Sequence, residues 1–309
     1  MDSASKKIKV AVSHLLRTQM ELDIEDYGLK GIGNLCNRIL ARYTEFPQPD
    51  LARFAGDDAL YKTVAPLQFT LNRPSESFAN YARSLAGAAN IKTAALCRYY
   101  FECYVNLPRA QRECFIFRES LDKLMRAVKA RVNVNLTYRG EPKRVSPCFL
   151  AFSPSQVRAY VVVCDDRTDA PAASRFHSLR LCHIRGVAPE RGAAFHCENF
   201  ELSHQAETFR EHFDPFLCYG QQVKVRLTEQ GAERYNRLTT NRPKVIAVDG
   251  APSASAAVDG AGDYTFECSE KLAKVYFPQF LFDAEILAPR ELRLWFKDQF
   301  EKAGKVYGG

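Results

Sequence analysis

Arg131-Val-Asn-Val-Asn-Leu-Thr-Tyr138-Arg-Gly140 alternates apolar and polar residues and then stops at a glycine. Arg144-Val-Ser-Pro147-Cys-Phe-Leu150, Arg158-Ala-Tyr160-Val-Val-Val163 and Ser178-Leu-Arg180-Leu-Cys-His183-Ile184 follow. Four β-patterned runs separated by Gly, Pro, Ser and Asp predict a small, strongly bent antiparallel sheet. Between Met125 and Arg191 twelve Arg or Lys stand against five Asp or Glu, more than half of the chain's formal excess of +7. An anionic ligand is expected here.

The order of these residues resembles the WYL domain, a small Sm-like barrel of bacterial regulators. Tyr138 matches the Tyr that ends the family's first strand, and Arg144, Pro147 and Leu150 match its basic-x-x-Pro-x-x-Leu run. The name-giving Trp-Tyr-Leu is Ala159-Tyr160-Val161 here, and the closing Arg-Leu-Asp-Arg-Ile is Arg180-Leu181-Cys182-His183-Ile184. The resemblance implies a ligand site. Arg144, Arg158, Arg180, His183 and Arg185 would supply charge on a bent sheet, and Tyr138 and Tyr160 would supply rings, a set suited to phosphate and base. Arg131, Arg139, Lys143 and Arg167 lie near turns and read as a solvated rim.

Upstream, Ile8, Val10 and Val12 alternate with Lys7, Lys9 and Ala11, the pattern of a short strand with a basic outer face. Leu16, Met20, Ile24 and Tyr27 form one helical stripe ended by Gly28; Ile32, Leu35, Cys36, Ile39, Leu40 and Tyr43 form a second, opened by Gly31-Ile-Gly33-Asn34. One strand and two helices cannot bury their apolar faces alone, so a homodimer through the strand is expected. This resembles the ribbon-helix-helix fold. On that resemblance Lys7 and Lys9 would contact nucleic acid, and the amides of Gly31, Gly33 and Asn34 would hold a phosphate. Seven basic against six acidic residues over positions 1–45 make a weak field for DNA, and a purely structural dimerisation cap is the plain alternative.

Pro47 and Pro49 mark a break. Phe78–Ala89, Ile91–Val105, a segment opened by Pro108 as an N1 proline, and Leu121–Ala130 read as helices. The aromatic run from Cys97 to Tyr104 favours a buried helix. Cys197–Cys218 reads as a loose connector. Beyond it, Gln221–Leu227, Lys244–Val248 and Tyr264–Cys268 read as strands, Glu229–Leu238 and Lys271–Leu281 as helices, and the Ala/Ser/Gly-rich run 249–263 as a mobile hairpin loop. Ala284-Glu-Ile-Leu287-x-Pro289-x-x-Leu292-Arg293 resembles the motif closing the ferredoxin-like extension that follows many WYL domains.

The expected fold is thus α+β and multidomain: ribbon-helix-helix (1–45), helical linker (46–129), Sm-like β-barrel (130–192), and connector with ferredoxin-like C-terminal extension (193–309). The ten cysteines include no Cys-x-x-Cys and most sit in apolar runs, the usage of reduced, buried thiols in a cytoplasmic protein. No apolar run is long enough to cross a bilayer, so no membrane partner is expected. Walker, Gly-x-Ser-x-Gly and His-Glu-x-x-His motifs are absent, and His196, His204 and His212 recur at a spacing that suits no metal site. Arg191 and His196 meet the loose Arg-x-x-x-x-His spacing of some RNases but lack its helical context. No enzyme, metal or cofactor is expected.

With the ribbon-helix-helix start, the chain resembles the WYL accessory proteins of type VI-D CRISPR systems. That resemblance implies a dimer that binds single-stranded RNA and stimulates an RNA-guided RNase effector. Two other classes remain open: a DNA-binding transcriptional regulator using Lys7 and Lys9, with the WYL pocket as sensor, and an interaction protein docking an acidic partner on the basic sheet.

Overall fold

The computed structural model describes residues 7–50, 54, 66–154, 156–190, 192, 194–248, 251–252 and 258–307. The chain divides into two compact units, residues 1–166 with 179–196, and residues 167–178 with 197–309.

The first unit begins with β1 (Lys7–Val10), which pairs antiparallel with β2 (Leu67–Thr70) of the same chain, Lys9 opposite Gln68 and Val10 opposite Leu67. This differs from the expected ribbon. The strand expected to seek its partner in a second copy has one within the chain. The pairing buries Val10, Leu67 and Phe69 and leaves Lys7, Lys9 and Gln68 exposed, as the period of two requires. Ser13 caps α1 (His14–Tyr27), its hydroxyl accepting the Leu16 N–H at 3.2 Å, and Gly28 ends it at φ +60. Only glycine adopts that left-handed cap without strain. α2 (Ile32–Leu40) buries Leu35, Cys36, Ile39 and Leu40, each worth about 1.5–3 kcal/mol for the larger side chains.

Four helices follow: α3 (Glu76–Ala89), α4 (Thr93–Val105), α5 (Arg109–Ile116) and α6 (Arg118–Ala130). Pro108 stands one position earlier than expected, as the N-cap of α5. Tyr100, Phe101 and Tyr104 on α4 are fully buried. The expected linker is no spacer: one apolar core runs from Val10 through Tyr100 and Leu124 to Val187.

That core includes the five-stranded antiparallel sheet of β3 (Val134–Tyr138), β4 (Glu141–Ser153), β5 (Arg158–Cys164), β6 (Phe176–Arg180) and β7 (Ile184–Pro189). Its strand order is β6-β5-β4-β3-β7. Among the described residues no strand pairing closes it into a barrel. Its two edge strands are nevertheless joined by a single 3₁₀ turn, Leu181–His183, so the sheet must curl. The run Ser178–Ile184, expected as one strand, is therefore two strand ends and a turn.

In the second unit Cys197–Cys218 is not a loose connector. It holds α7 (Phe200–Glu211), capped by the Asn199 side chain and burying Leu202, Ala206 and Phe209. Phe209 meets Phe176 edge to face at 5.5 Å. β8 (Gln222–Leu227), α8 (Glu229–Arg237), β9 (Lys244–Val248), β11 (Gly262–Glu267), α9 (Glu270–Tyr276) and β12 (Ala284–Ala288) follow in βαββαβ connectivity. A short β10 (Ala251–Pro252) extends the sheet, whose order is β10-β9-β11-β8-β12, and α10 (Arg290–Tyr307) ends the described chain. The βαββαβ path with β8 and β11 central is the ferredoxin-like arrangement. Lys271–Leu281 is not one helix: Pro278 lacks the N–H that α9 would need, and a 3₁₀ segment, Phe277–Asp283, takes over. Of the expected hairpin loop, residues 249–250 and 253–257 lie outside the described residues. Val258 is buried, with both its backbone groups bonded to the Asn236 side chain. Gly231 is required for packing, since a Cβ there would stand 2.2 Å from the Asp283 carbonyl oxygen.

Candidate functional site

The basic residues foreseen on the bent sheet separate into three groups. Arg158, opening β5, and Arg180, ending β6, meet. Both guanidinium groups ion-pair with one carboxylate oxygen of Asp26 on α1, Arg180 at 2.7 Å, and Arg109 on α5 reaches the same Oδ2 at 3.2 Å. Behind them Glu113 of α5 is fully buried. Its carboxylate accepts the backbone N–H groups of Ala159 at 3.1 Å and Cys182 at 2.9 Å, and lies 3.4 Å from Arg180 Nε. A buried carboxylate is tolerable only with such donors. Burial, then the neighbouring Arg180, lowers the pKa of Arg158, while burial and Glu113 push the Cys182 thiol up to about 12.

Deeper in the helices Asp23 accepts a two-pronged pairing from Arg112, at 2.7 and 3.1 Å, and the Tyr104 hydroxyl at 2.7 Å. A cavity of about 710 Å³ lined by Gln19, Leu22, Asp23, Glu25, Asp26, Arg109 and Arg112 adjoins these pairs.

The second group lies around the turn that joins the sheet's edges. Tyr138 and His183 meet edge to face at 6.1 Å, and the Tyr138 hydroxyl accepts the Arg180 N–H at 3.4 Å. The Arg139 N–H donates to the His183 carbonyl, and its guanidinium lies 5.6 Å from the Tyr138 ring centre. Arg185 donates to the carbonyls of Cys182 and Ile184 and covers the Phe117 ring at 4.8 Å. The side chains of Arg139 and Arg185 reach the surface. Burial, with Arg139, Arg180, Arg185 and Arg158 adding repulsion, holds His183 down at about 4. His183 is therefore neutral at pH 7, and an anion arriving here would be met by arginines and a neutral imidazole.

The structure does not bring the other two foreseen residues to this place. Arg144 lies near the start of β4 with Glu190 at 2.7 Å and Asp166 at 3.7 Å, while Arg158 pairs with Ser153 at the other end of that strand. Tyr160 is buried and its hydroxyl bonds to Gln156, so it offers no open ring face.

In the N-terminal part, Lys7 and Lys9 share the exposed face of the β1–β2 ribbon with Gln68. The α2 start offers little to a phosphate. The N–H of Asn34 bonds to the Gly31 carbonyl, the Asn34 side chain accepts from Arg38, and a Cβ added at Gly33 would stand 3.6 Å from the Phe69 Cβ. Arg139, expected on the solvated rim, lies beside Tyr138 and His183, and Arg109, Asp26 and Glu113 were not foreseen. The two acids lie on α1 and α5, and their tertiary neighbours reveal them.

Among the described residues no group of three His, Cys, Asp or Glu could hold a metal ion, and no helix is long and apolar enough to cross a membrane. All ten cysteines are thiols.

No family model matches the sequence, and no curated protein matches it. Among solved structures, one described as a CRISPR Cas-related protein is similar over 100% of this chain and 95% of its own, with a TM-score of 0.64 at 14% identity. The proteasome accessory factor B/C (PafBC) of Arthrobacter aurescens aligns with 99% of this chain at 12% identity and a TM-score of 0.29; the aligned part is 51% of that protein. The likeness to the CRISPR Cas-related protein, spanning nearly all of both chains, is one of fold.

Proposed function

We propose that the protein is a nucleic-acid-binding accessory protein that grips single-stranded RNA and stimulates a type VI-D CRISPR RNA-guided RNase without cleaving RNA itself. The observation that carries this is the convergence of Tyr138, Arg139, His183 and Arg185 at one turn, backed by Arg158 and Arg180. Guanidinium groups take phosphates and exposed rings take splayed bases, the combination single strands require. The shared fold with a CRISPR Cas-related protein supports the setting. A cytoplasmic homodimer belongs to the same reading. Since β2 already holds one edge of β1, a second copy would add to the other edge.

A second reading, a dimeric DNA-binding regulator with the sheet as its sensor, draws on the β1–β2 ribbon, whose exposed face carries Lys7, Lys9 and Gln68. A two-stranded ribbon of this kind fits the major groove.

Titrating the purified protein into a type VI-D RNase reaction tests the first reading. Faster target cleavage, with none by the protein alone, is expected. No stimulation, or cleavage by the protein alone, would contradict it.

A further inference from the structure

Asp26 holds more cations on one oxygen than a carboxylate needs. Arg109, Arg158 and Arg180 all converge on its Oδ2. Of the two acids among these arginines, Glu113 is fixed: it is wholly buried and its oxygens hold the backbone N–H groups of Ala159 and Cys182. Asp26 differs. Its carboxylate bonds only to arginine side chains among the described contacts, it is partly exposed, and it borders the cavity of about 710 Å³ on α1. It therefore has somewhere to go. A side-chain rotation into that cavity, next to the Gly28 end of the helix, would release the arginines without unfolding an element.

We infer that Arg109, Arg158 and Arg180 form a seat for one backbone phosphate of the RNA, that Asp26 fills this seat in the unliganded protein, and that RNA enters by displacing it. The inference rests on the RNA-binding reading above and adds to it a phosphate-binding residue from the helices, Arg109, and an internal competitor, Asp26. The chemistry favours the exchange. A phosphodiester presents two unesterified oxygens to three guanidinium groups where Asp26 presents one, and charge-assisted bonds to phosphate are strong. With three arginines against Asp26 and Glu113, the filled seat keeps a net positive charge that attracts the strand. The competitor also sets a threshold, because apparent affinity falls by the fraction of time the seat is open.

The test measures binding of a fluorescent mixed-sequence single-stranded RNA to the full chain by anisotropy. Asp26→Asn keeps the side chain's size and removes its charge; it should bind about tenfold tighter than wild type, the gain expected if the seat is open about a tenth of the time. Glu21→Gln makes the same charge change on the same helix, at an exposed residue paired with Arg17 and outside the cavity lining, and should bind as wild type does. Arg109→Ala should bind more weakly. An unchanged or weakened Asp26→Asn, or an equal gain from Glu21→Gln, would overturn the inference. Should Asp26→Asn fail to fold, Asp26→Ser, which also removes the charge, decides: it should bind RNA more tightly than wild type, and unchanged or weaker binding would overturn the inference. If Arg180→Ala loses RNA binding while Asp26→Asn gains none, the RNA reading stands and the displacement falls. If neither wild type nor Asp26→Asn binds RNA, both fall.

Discussion

The carboxylate of Glu113 and the backbone N–H of Cys182 lie 2.9 Å apart in a fully buried site, so a side chain of α5 completes the hydrogen bonding of the turn that joins the sheet's two edges. The second carboxylate oxygen does the same for Ala159 at the start of β5. Helix and sheet are thereby locked in one register. Glu113→Gln swaps one acceptor oxygen for an NH2 group that would confront an N–H, and leaves Arg180 with one fewer counter-charge. A loss of about 2–4 kcal/mol is expected from urea unfolding. A loss under about 0.5 kcal/mol, the usual size of a surface change, would show that the carboxylate is not holding these donors.

The Asp23–Arg112 pair should be costlier to break from one side than to remove whole. Arg112→Leu leaves a buried carboxylate whose remaining partners are Tyr104 and Gln19, with an expected cost of about 3–5 kcal/mol. Asp23→Asn combined with Arg112→Leu should recover part of that. Equal destabilisation of single and double variants would refute the coupling.

His183 should make stability depend on pH in the acid range. Its folded value of about 4 lies below its ordinary 6.5, because burial and the surrounding arginines disfavour the imidazolium. The neutral form is thus the one folding favours. Its contribution is present above pH 6.5 and is lost as the pH falls from there towards 4, by about 1 kcal/mol once screening at this partly exposed ring is allowed for. His183→Gln should flatten the stability profile across that window. RNA should raise the histidine's pKa, a shift visible in its ring-proton NMR titration. A downward shift on binding would place the phosphates elsewhere.

Arg139 and Arg185 reach the surface beside Tyr138 and His183. Replacing either by Ala should weaken RNA binding and lower the slope of log K against log salt by about 0.7, the release expected for one phosphate contact on a single strand. Lys7→Ala with Lys9→Ala should leave RNA binding unchanged. The reverse pattern would move the interface to the ribbon.

Val10→Asp should destabilise the single chain, because Val10 is wholly buried against its own core and pairs with Leu67. A cost of about 3 kcal/mol or more is expected from charge burial. A folded, equally stable monomer would show that the β1–β2 pairing does not hold the N-terminus.

Local periodicity made much of this fold legible. The α1 and α2 stripes, the β3 to β5 runs and the C-terminal strands each repeat at the spacing of their element. What escaped is what depends on distant partners. β2 is only Leu67-Gln-Phe69-Thr70, too short to stand out before β1 is laid beside it. α7 carries its stripe on Leu202, Ala206 and Phe209, but Phe200 and Phe213 beside it blur the period, and Phe200 is exposed. The arginines of the sheet were readable as a cationic set, yet Asp26 and Glu113 lie far off in sequence on polar helix positions. Nothing in a linear pattern says that these two carboxylates lie among those arginines. Of the arginines expected in an open site, Arg158 and Arg180 meet, already engaged, while Arg144 belongs to a different ion pair.

The most direct measurement is filter binding of the purified protein to mixed-sequence single-stranded RNA, single-stranded DNA and duplex DNA at two salt concentrations. Tight, salt-dependent binding of single-stranded RNA with weak binding of the duplex is the predicted result. Preference for duplex DNA, or binding of none of the three at low salt, would contradict the account.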